Sequence, residues 1–321
     1  MFRDFAFHAM NSHIQVLLES DTPTAELEIP VLEGFDISEQ RFSRFLPTSE
    51  CSYLNARSGQ LSFVSDSMLE VLELARHYQE QTNGAFDICV GQAMERAGYR
   101  QSFESIQEQM MELEQPNPHP HSGMALQVDP WMKSVRILAG QKMDFGGIVK
   151  SWTAQHVANR LQTDWLVRRG FINAGGDVRV WGGAAESEPW CIGIANPFET
   201  DPAQEVTLQL RTGAVATSSI LRRRWLTNAG EMHHLIDTRT MQPSQSSVVQ
   251  CTVIGQDLIA CEVWAKVLCM LGKEEGVALF QRRSQGMEAL LYTSVGDVFQ
   301  AKSLHGSLEH SWTGLKGERS L

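Results

Sequence analysis

The chain has 321 residues, long for one domain and short for three, and its apolar share of 42% is ordinary for a globular protein with a sizeable core. Its 27 basic and 38 acidic residues leave a formal charge of −11, which repels nucleic-acid backbones and anionic lipid and argues against both as partners. Six cysteines, at 51, 89, 191, 251, 261 and 269, include no C-x-x-C pair, so zinc and dithiol redox chemistry are not indicated. Cys251 and Cys269 lie in apolar runs, as small buried thiols do in a reducing compartment. The first ten residues carry neither the apolar core and small-residue cleavage site of a leader nor a lipoprotein cysteine, and no run is long enough to span a bilayer. The expectation is a cytoplasmic protein.

In chain order, residues 13–19 alternate as a strand does. Residues 67–79 place Met68, Leu69, Leu72, Leu74 and Ala75 at helical spacing, and Thr82-Asn-Gly84 supplies the stop. Residues 102–114 read as a polar helix, and the prolines of 115–121 make that stretch a loop whose two histidines are metal ligands or, since no acid or cysteine accompanies them, solvated. A short strand is expected at 134–138 and a helix at 148–161. Strands follow at 171–173, 178–181, 191–195, 206–210, 213–218 and 247–254, with turn residues between them. Two helices come next, 258–271 closed by Gly272 and 275–282, then a last buried strand at 289–293. The polar tail after Gly306 is expected to fray. Strand-rich stretches with helices inserted in blocks indicate an α+β fold, with mixed and antiparallel sheets, rather than a doubly wound one.

Three segments combine turn chemistry with titratable groups. Asp144-Phe-Gly-Gly-Ile-Val-Lys150 leads two glycines into a helix start, a ready anion site with Lys150 one turn in; alternatively it is a capped strand-to-helix turn with Lys150 in solvent. Asn173-Ala-Gly-Gly-Asp177 joins two strands, and a type I′ or bulged turn explains its glycines without any ligand. His233-His-Leu-Ile-Asp237, if extended, puts His234 and Ile236 on one face and His233, Leu235 and Asp237 on the other. A histidine here is either the general base of a proton transfer or a satisfied core residue. The run Arg222-Arg223-Arg224 is large enough for one phosphate or carboxylate, or is a solvated strand edge. Glu262 and Lys266 lie four apart on one helix face, as a salt bridge or as charges facing a site.

Taken together, Ala9-Met-Asn-Ser12, Arg41-Phe-Ser-Arg-Phe-Leu-Pro-Thr-Ser-Glu50 with Leu54-Asn55, Thr82-Asn-Gly-Ala-Phe-Asp87, Asp144-Phe-Gly-Gly-Ile-Val-Lys150, Asn173-Ala-Gly-Gly-Asp177, Val215-Ala-Thr-Ser218 and His234-Leu-Ile-Asp237 resemble, in order, the motifs of the ApbE family of FAD:protein FMN transferases. The resemblance covers about residues 5–295. It implies a T-fold-like α+β domain over 1–305, with a small helical insertion near 95–125 and a polar tail at 306–321. It implies FAD as the donor, usually a magnesium ion on its pyrophosphate, and an acceptor flavoprotein whose Thr or Ser hydroxyl receives FMN as AMP leaves. By the same resemblance His234 is the base, with Asp237 in its motif, and these two and Lys266 are the expected catalytic residues. Phe45 stacks on the flavin, and Met10, Asp87, Gly146, Gly147, Lys150, Asp177, Thr217 and Ser218 contact FAD. The family's metal ligands are the carbonyl at the Gly147 position and an Asp and a Thr four apart on the late helix. Here those two positions hold Glu262 and Lys266, and an ammonium cannot ligate magnesium. Ser219, Ile220, Thr238 and Met241 are further departures from the family pattern. Lys266 can therefore do part of the metal's work in an FMN transferase; a non-catalytic FAD-binding protein and an FAD pyrophosphatase giving FMN and AMP are the alternatives.

Overall fold

The computed structural model describes residues 1–106, 111–113, 126–182, 188–199, 206–315 and 319–320. The chain opens on a hairpin of β1 (Phe2–Ala9) and β2 (Ser12–Glu19). β2 buries Ser12, Ile14, Val16 and Leu18 at period two; β1, for which the sequence reading had no element, half-buries the alternate positions Arg3, Phe5, Phe7 and Ala9. Helix α1 (Thr24–Phe42) follows, also unexpected, because Pro30 interrupts it and charged residues crowd it. It forms because Leu27, Val31, Phe35 and Phe42 make one buried stripe. Then come α2 (Glu50–Ala56), β3 (Leu61–Phe63), α3 (Asp66–Gln81), α4 (Gly91–Arg96), α5 (Phe103–Ile106), β4 (Leu126–Asp129), β5 (Ser134–Ile137) and α6 (Val149–Thr163). Serine hydroxyls cap α2 (Ser49, to the Ser52 amide) and α3 (Ser65, to the Met68 amide). The strands β6 (Arg169–Ala174), β7 (Asp177–Trp181), β8 (Trp190–Ile194), β9 (Val206–Leu210), β10 (Gly213–Ser219), β11 (Arg224–Thr227), β12 (Gly230–His233), β13 (Ile236–Asp237), β14 (Gln242–Pro243) and β15 (Val248–Gly255) lead into α7 (Leu258–Arg283). The chain closes on β16 (Glu288–Thr293), β17 (Val298–Lys302), β18 (His310–Thr313) and β19 (Arg319–Ser320).

These elements form two compact units. One comprises Met1–Phe35, Lys150–Ser219 and Ser246–Leu321, the other Asp36–Val149 and Ile220–Gln245. The first is built on a sheet ordered β1-β2-β6-β7-β10-β15-β16-β17-β19, antiparallel at every pairing except β17–β19. α7 packs on β10 and β15, and β15 is buried at all its positions, as expected for a strand covered on both faces. The Cys269 thiol lies 3.4 Å from the Ser218 carbonyl and the Cys261 thiol 3.7 Å from that of Ala214, placing the helix along β10. Gly272 (φ 78°) kinks α7 where the sequence placed a stop between two helices. Gly34 on α1 lets α6 approach, since a Cβ there would stand 2.7 Å from Val157. The tail, expected to fray, instead supplies β18, which pairs antiparallel with β9, matching Trp312 to Leu208.

The second unit holds the sheet β3-β5-β4, the ribbons β11–β12 and β13–β14, and α2 to α5. Its core joins Tyr99, Trp225, Ile106, Ile236 and Met94. Of the polar helix expected over 102–114, the described residues show α5, while Met111 bridges Thr227 in parallel, its amide bonding the Leu226 carbonyl at 3.0 Å. Residues 107–110 and 114–125, with the proline-rich loop and its histidines, lie outside the described residues. Among the described residues no helix is long and apolar enough to cross a membrane.

Candidate active site

In the first unit a buried charge cluster sits where α6 and α7 reach the start of β7 and the end of β10. The turn Gly175-Gly176 joins β6 to β7 with φ of 63° and 102°, a two-residue loop of type I′ character. The Gly176 amide is held by Asn173 Oδ1 at 2.8 Å, and the Gly175 amide donates to the His13 carbonyl at 3.0 Å. That second bond sets this turn beside the β1–β2 turn, whose Met10 and Asn11 also have positive φ, 52° and 53°. Asp177 follows at 3% exposure. Lys150 contacts its Oδ2 and donates to the Ala174 carbonyl at 2.8 Å, while the Ser151 hydroxyl donates to the same Oδ2 at 3.2 Å. Glu262, 1% exposed on α7, accepts from Lys266 Nζ at 2.7 Å; its Oε2 makes no hydrogen bond.

The four charges interact as one group. Burial raises the Asp177 carboxyl above its usual range, Lys150 opposes this, and Glu262 adds to the rise. For Glu262 burial also acts upward, but Lys266, then Lys150, overcome it and hold the carboxyl down at about 2. Two carboxylates and two ammoniums leave the cluster formally neutral, which is what makes its burial tolerable. On β10, Thr217 exchanges a hydrogen bond with Thr252 at 2.8 Å and Ser218 is buried. Because Val215 pairs with Val178, Thr217 and Ser218 run past the end of β7, level with the Gly175-Gly176 turn. The first unit thus gathers Met10, Lys150, Asp177, Thr217, Ser218, Glu262 and Lys266.

In the second unit Asp144 Oδ1 accepts from the Gly146 amide at 2.7 Å, and its Oδ2 takes the Arg44 Nε at 2.5 Å. The Phe145 carbonyl accepts from the Ile148 and Val149 amides, so Gly146 and Gly147 form the turn that starts α6. The Asp144 amide donates to the Ile88 carbonyl at 2.7 Å, joining this turn to the Asp87 loop. There Asp87 accepts from Gln79 Nε2 at 2.8 Å and from the Cys89 amide at 2.7 Å. Thr238 Oγ1 donates to the Gly84 carbonyl at 2.7 Å, which ties the histidine segment to the same loop. Phe45, expected on a flavin, has the Arg44 guanidinium 4.2 Å over its ring and lies 5.6 Å from Tyr99, itself stacked on Trp225.

The face pattern expected for 233–237 is not realised. β12 ends at His233, the chain bends at His234, and Leu235 and Ile236 are both buried, so alternation breaks. His233 Nε2 lies 2.9 Å from the Ser244 carbonyl and its Nδ1 3.3 Å from the Leu235 amide; burial lowers its pKa, and this neutral ring is the satisfied histidine. His234 Nδ1 faces the Arg223 carbonyl at 3.4 Å. In the tautomer that donates this bond the lone pair is on Nε2, the form a base requires. Both Asp237 oxygens are engaged by Arg239, at 3.0 and 2.9 Å; burial pushes this carboxyl up, but the Arg239 bonds leave it below its usual range. Of the arginine run, Arg224 pairs with Glu231 at 3.0 Å on the exposed ribbon.

The ApbE family model matches residues 10–291. The chain belongs to the ApbE family. It is 22% identical over 282 residues to the FAD:protein FMN transferase of Escherichia coli K12, covering 86% of this chain and 79% of that protein. It is 25% identical over 286 residues to the Vibrio cholerae protein of the same name, covering 88% and 83%. Among solved structures it resembles the ApbE protein of Thermotoga maritima (TM-score 0.81, 24% identity, 94% and 97% covered) and flavin transferase ApbE of Vibrio cholerae (0.77, 20%, 94% and 98%). These confirm the α+β ApbE architecture.

Against the ApbE pattern, the Glu262–Lys266 pair is the departure with chemical consequence. A magnesium ion wants several oxygens in octahedral array. Here Lys266 occupies Glu262 Oε1, Lys150 and Ser151 occupy Asp177 Oδ2, and Glu262 Oε2 is buried without a hydrogen bond. Among the described residues no three His, Cys, Asp or Glu side chains gather as a metal site. The donor set does not fit the ion. Sequence reasoning missed the parts played by Ser151, Arg44, Tyr99 and Trp225. Ser151 is flagged only by adjacency to Lys150 and Arg44 only by its place in a motif, while Tyr99 and Trp225 carry no local signal.

Proposed function

We propose that this protein transfers FMN from FAD to a Thr or Ser hydroxyl of an acceptor flavoprotein and releases AMP. The observation that carries the reading is the match over 86% of the chain to a protein named FAD:protein FMN transferase. In this reaction the acceptor oxygen forms a bond to the FMN phosphorus, the bond from that phosphorus to the bridging oxygen breaks, and AMP leaves with that oxygen. The hydroxyl proton goes to a base. We assign the base to His234, whose Nδ1 geometry supports a lone pair on Nε2.

Asp237 is assigned to the segment's shape, since Arg239 engages its carboxylate. Lys150, Asp177, Thr217 and Ser218 belong to the FAD-binding surface of the first unit, with Met10 on the neighbouring turn. Phe45, Asp87, Gly146 and Gly147 are FAD-contact candidates in the second. The test is incubation with FAD and a threonine-containing acceptor, read by mass spectrometry for the gain of one FMN less water. AMP release that needs the acceptor supports the transferase. Release without acceptor identifies a pyrophosphatase, and FAD retention with no release identifies a binding protein.

A further inference from the structure

We infer that Lys266 is the resident cation of this site: its ammonium binds a phosphate oxygen of the dinucleotide, and the reaction needs no divalent ion at the Glu262 locus. The inference rests on the FMN-transfer reading and concerns how its electrostatics are supplied. An ammonium has three N–H donors. Lys266 spends one on Glu262 Oε1 at 2.7 Å, and no second hydrogen bond to it is present among the described residues. Its side chain keeps 13% exposure, whereas Glu262 keeps 2%, so the carboxylate is buried behind the ammonium. Lys150 differs, since two of its three donors already serve Asp177 and the Ala174 carbonyl. The cluster therefore holds one anchored cation with donors to spare, which is what an incoming anionic oxygen requires. The same charge opposes a dication, because a positive group already sits 2.7 Å from Glu262 Oε1.

Two measurements test this. Calorimetric titration of the whole protein with magnesium chloride alone gives no binding heat, while Glu262→Asp combined with Lys266→Thr gains saturable binding. Wild-type binding that Glu262→Gln abolishes overturns the inference, and so does a folded double variant that still fails to bind. FMN transfer with EDTA in place of magnesium stays within about twofold, whereas Lys266→Met loses about 100-fold or more, the scale for removing a preorganised electrostatic group. Lys266→Arg, which keeps the charge if folding is a concern, retains EDTA-resistant transfer. An EDTA-dependent loss of tenfold or more in the wild type overturns the inference. If no transfer occurs under any condition, the FMN-transfer reading fails, and calorimetry still decides whether Lys266 excludes the metal.

Discussion

Removing Lys266 isolates what the buried pair contributes to stability. In Lys266→Met, Glu262 keeps its 1% exposure and loses the ammonium 2.7 Å away. Stranding a buried charge in this way costs about 3–5 kcal/mol. The titration gives a similar scale: moving the carboxyl from 4.5 to about 2 corresponds to about 3 kcal/mol at neutral pH. The double variant Glu262→Gln with Lys266→Met removes both charges and should cost less than either cost taken alone suggests, with a coupling of at least about 2 kcal/mol. Because the folded pKa is depressed, this contribution is present above the unfolded value of 4.5 and fades as pH falls toward about 2. Asp177, raised by burial, runs the other way: its contribution is present below 3.8 and is lost as pH rises through its folded value. The wild type should therefore lose its advantage over Glu262→Gln progressively between about pH 5 and 2. Urea unfolding of the four proteins of the cycle, followed by circular dichroism, measures both effects. A cost below about 1 kcal/mol for Lys266→Met at pH 7, or additivity of the two single changes, would refute the reasoning.

Further outcomes are expected. His234→Ala should abolish FMN transfer and leave FAD bound, read by mass spectrometry and by flavin fluorescence; full transfer removes His234 from the mechanism. The two hairpin turns should respond with opposite signs. Met10→Gly relieves a positive φ and should raise stability by about 0.5–1 kcal/mol, whereas Gly175→Ala, whose Cβ would meet Ser12 Oγ at 2.8 Å, should lower it by about 1–3 kcal/mol, both read by thermal unfolding. The β18 strand should be pH-sensitive. His310 Nε2 lies 3.1 Å from Glu288, and that hydrogen bond raises the histidine's pKa above 6.5. Its contribution is complete below 6.5 and is lost as pH rises through the folded value. Amide exchange at 310–313, corrected for intrinsic rate, should quicken over that rise, and His310→Gln should remove the step.

Much of the fold is written in local pattern. The alternation of 13–19, the helical spacing of 67–79, and the apolar runs of 247–254 and 258–271 each carry a period that one sheet face or one helix stripe enforces. The glycine pair at 175–176 announces its turn because only positive φ closes a two-residue loop between twisted strands. Motif order also carried the family, since Asp144, Asp177, His234 and their neighbours recur in register. Elements whose reason lies elsewhere in the chain were not legible. Strand β1 exists because β2 offers it an edge, and α1 forms despite Pro30 because its stripe finds apolar partners such as Phe7 on β1. The tail strand β18 needs β9, about 100 residues away, to pair its backbone. The site divides the same way. Spacing put Glu262 and Lys266 on one helix face, but only the folded chain decided that Glu262 is buried, with the half-buried Lys266 in front of it, beside Asp177 and Lys150. Burial is a property of what surrounds a residue, and it turns an ordinary surface salt bridge into a fixed internal cation.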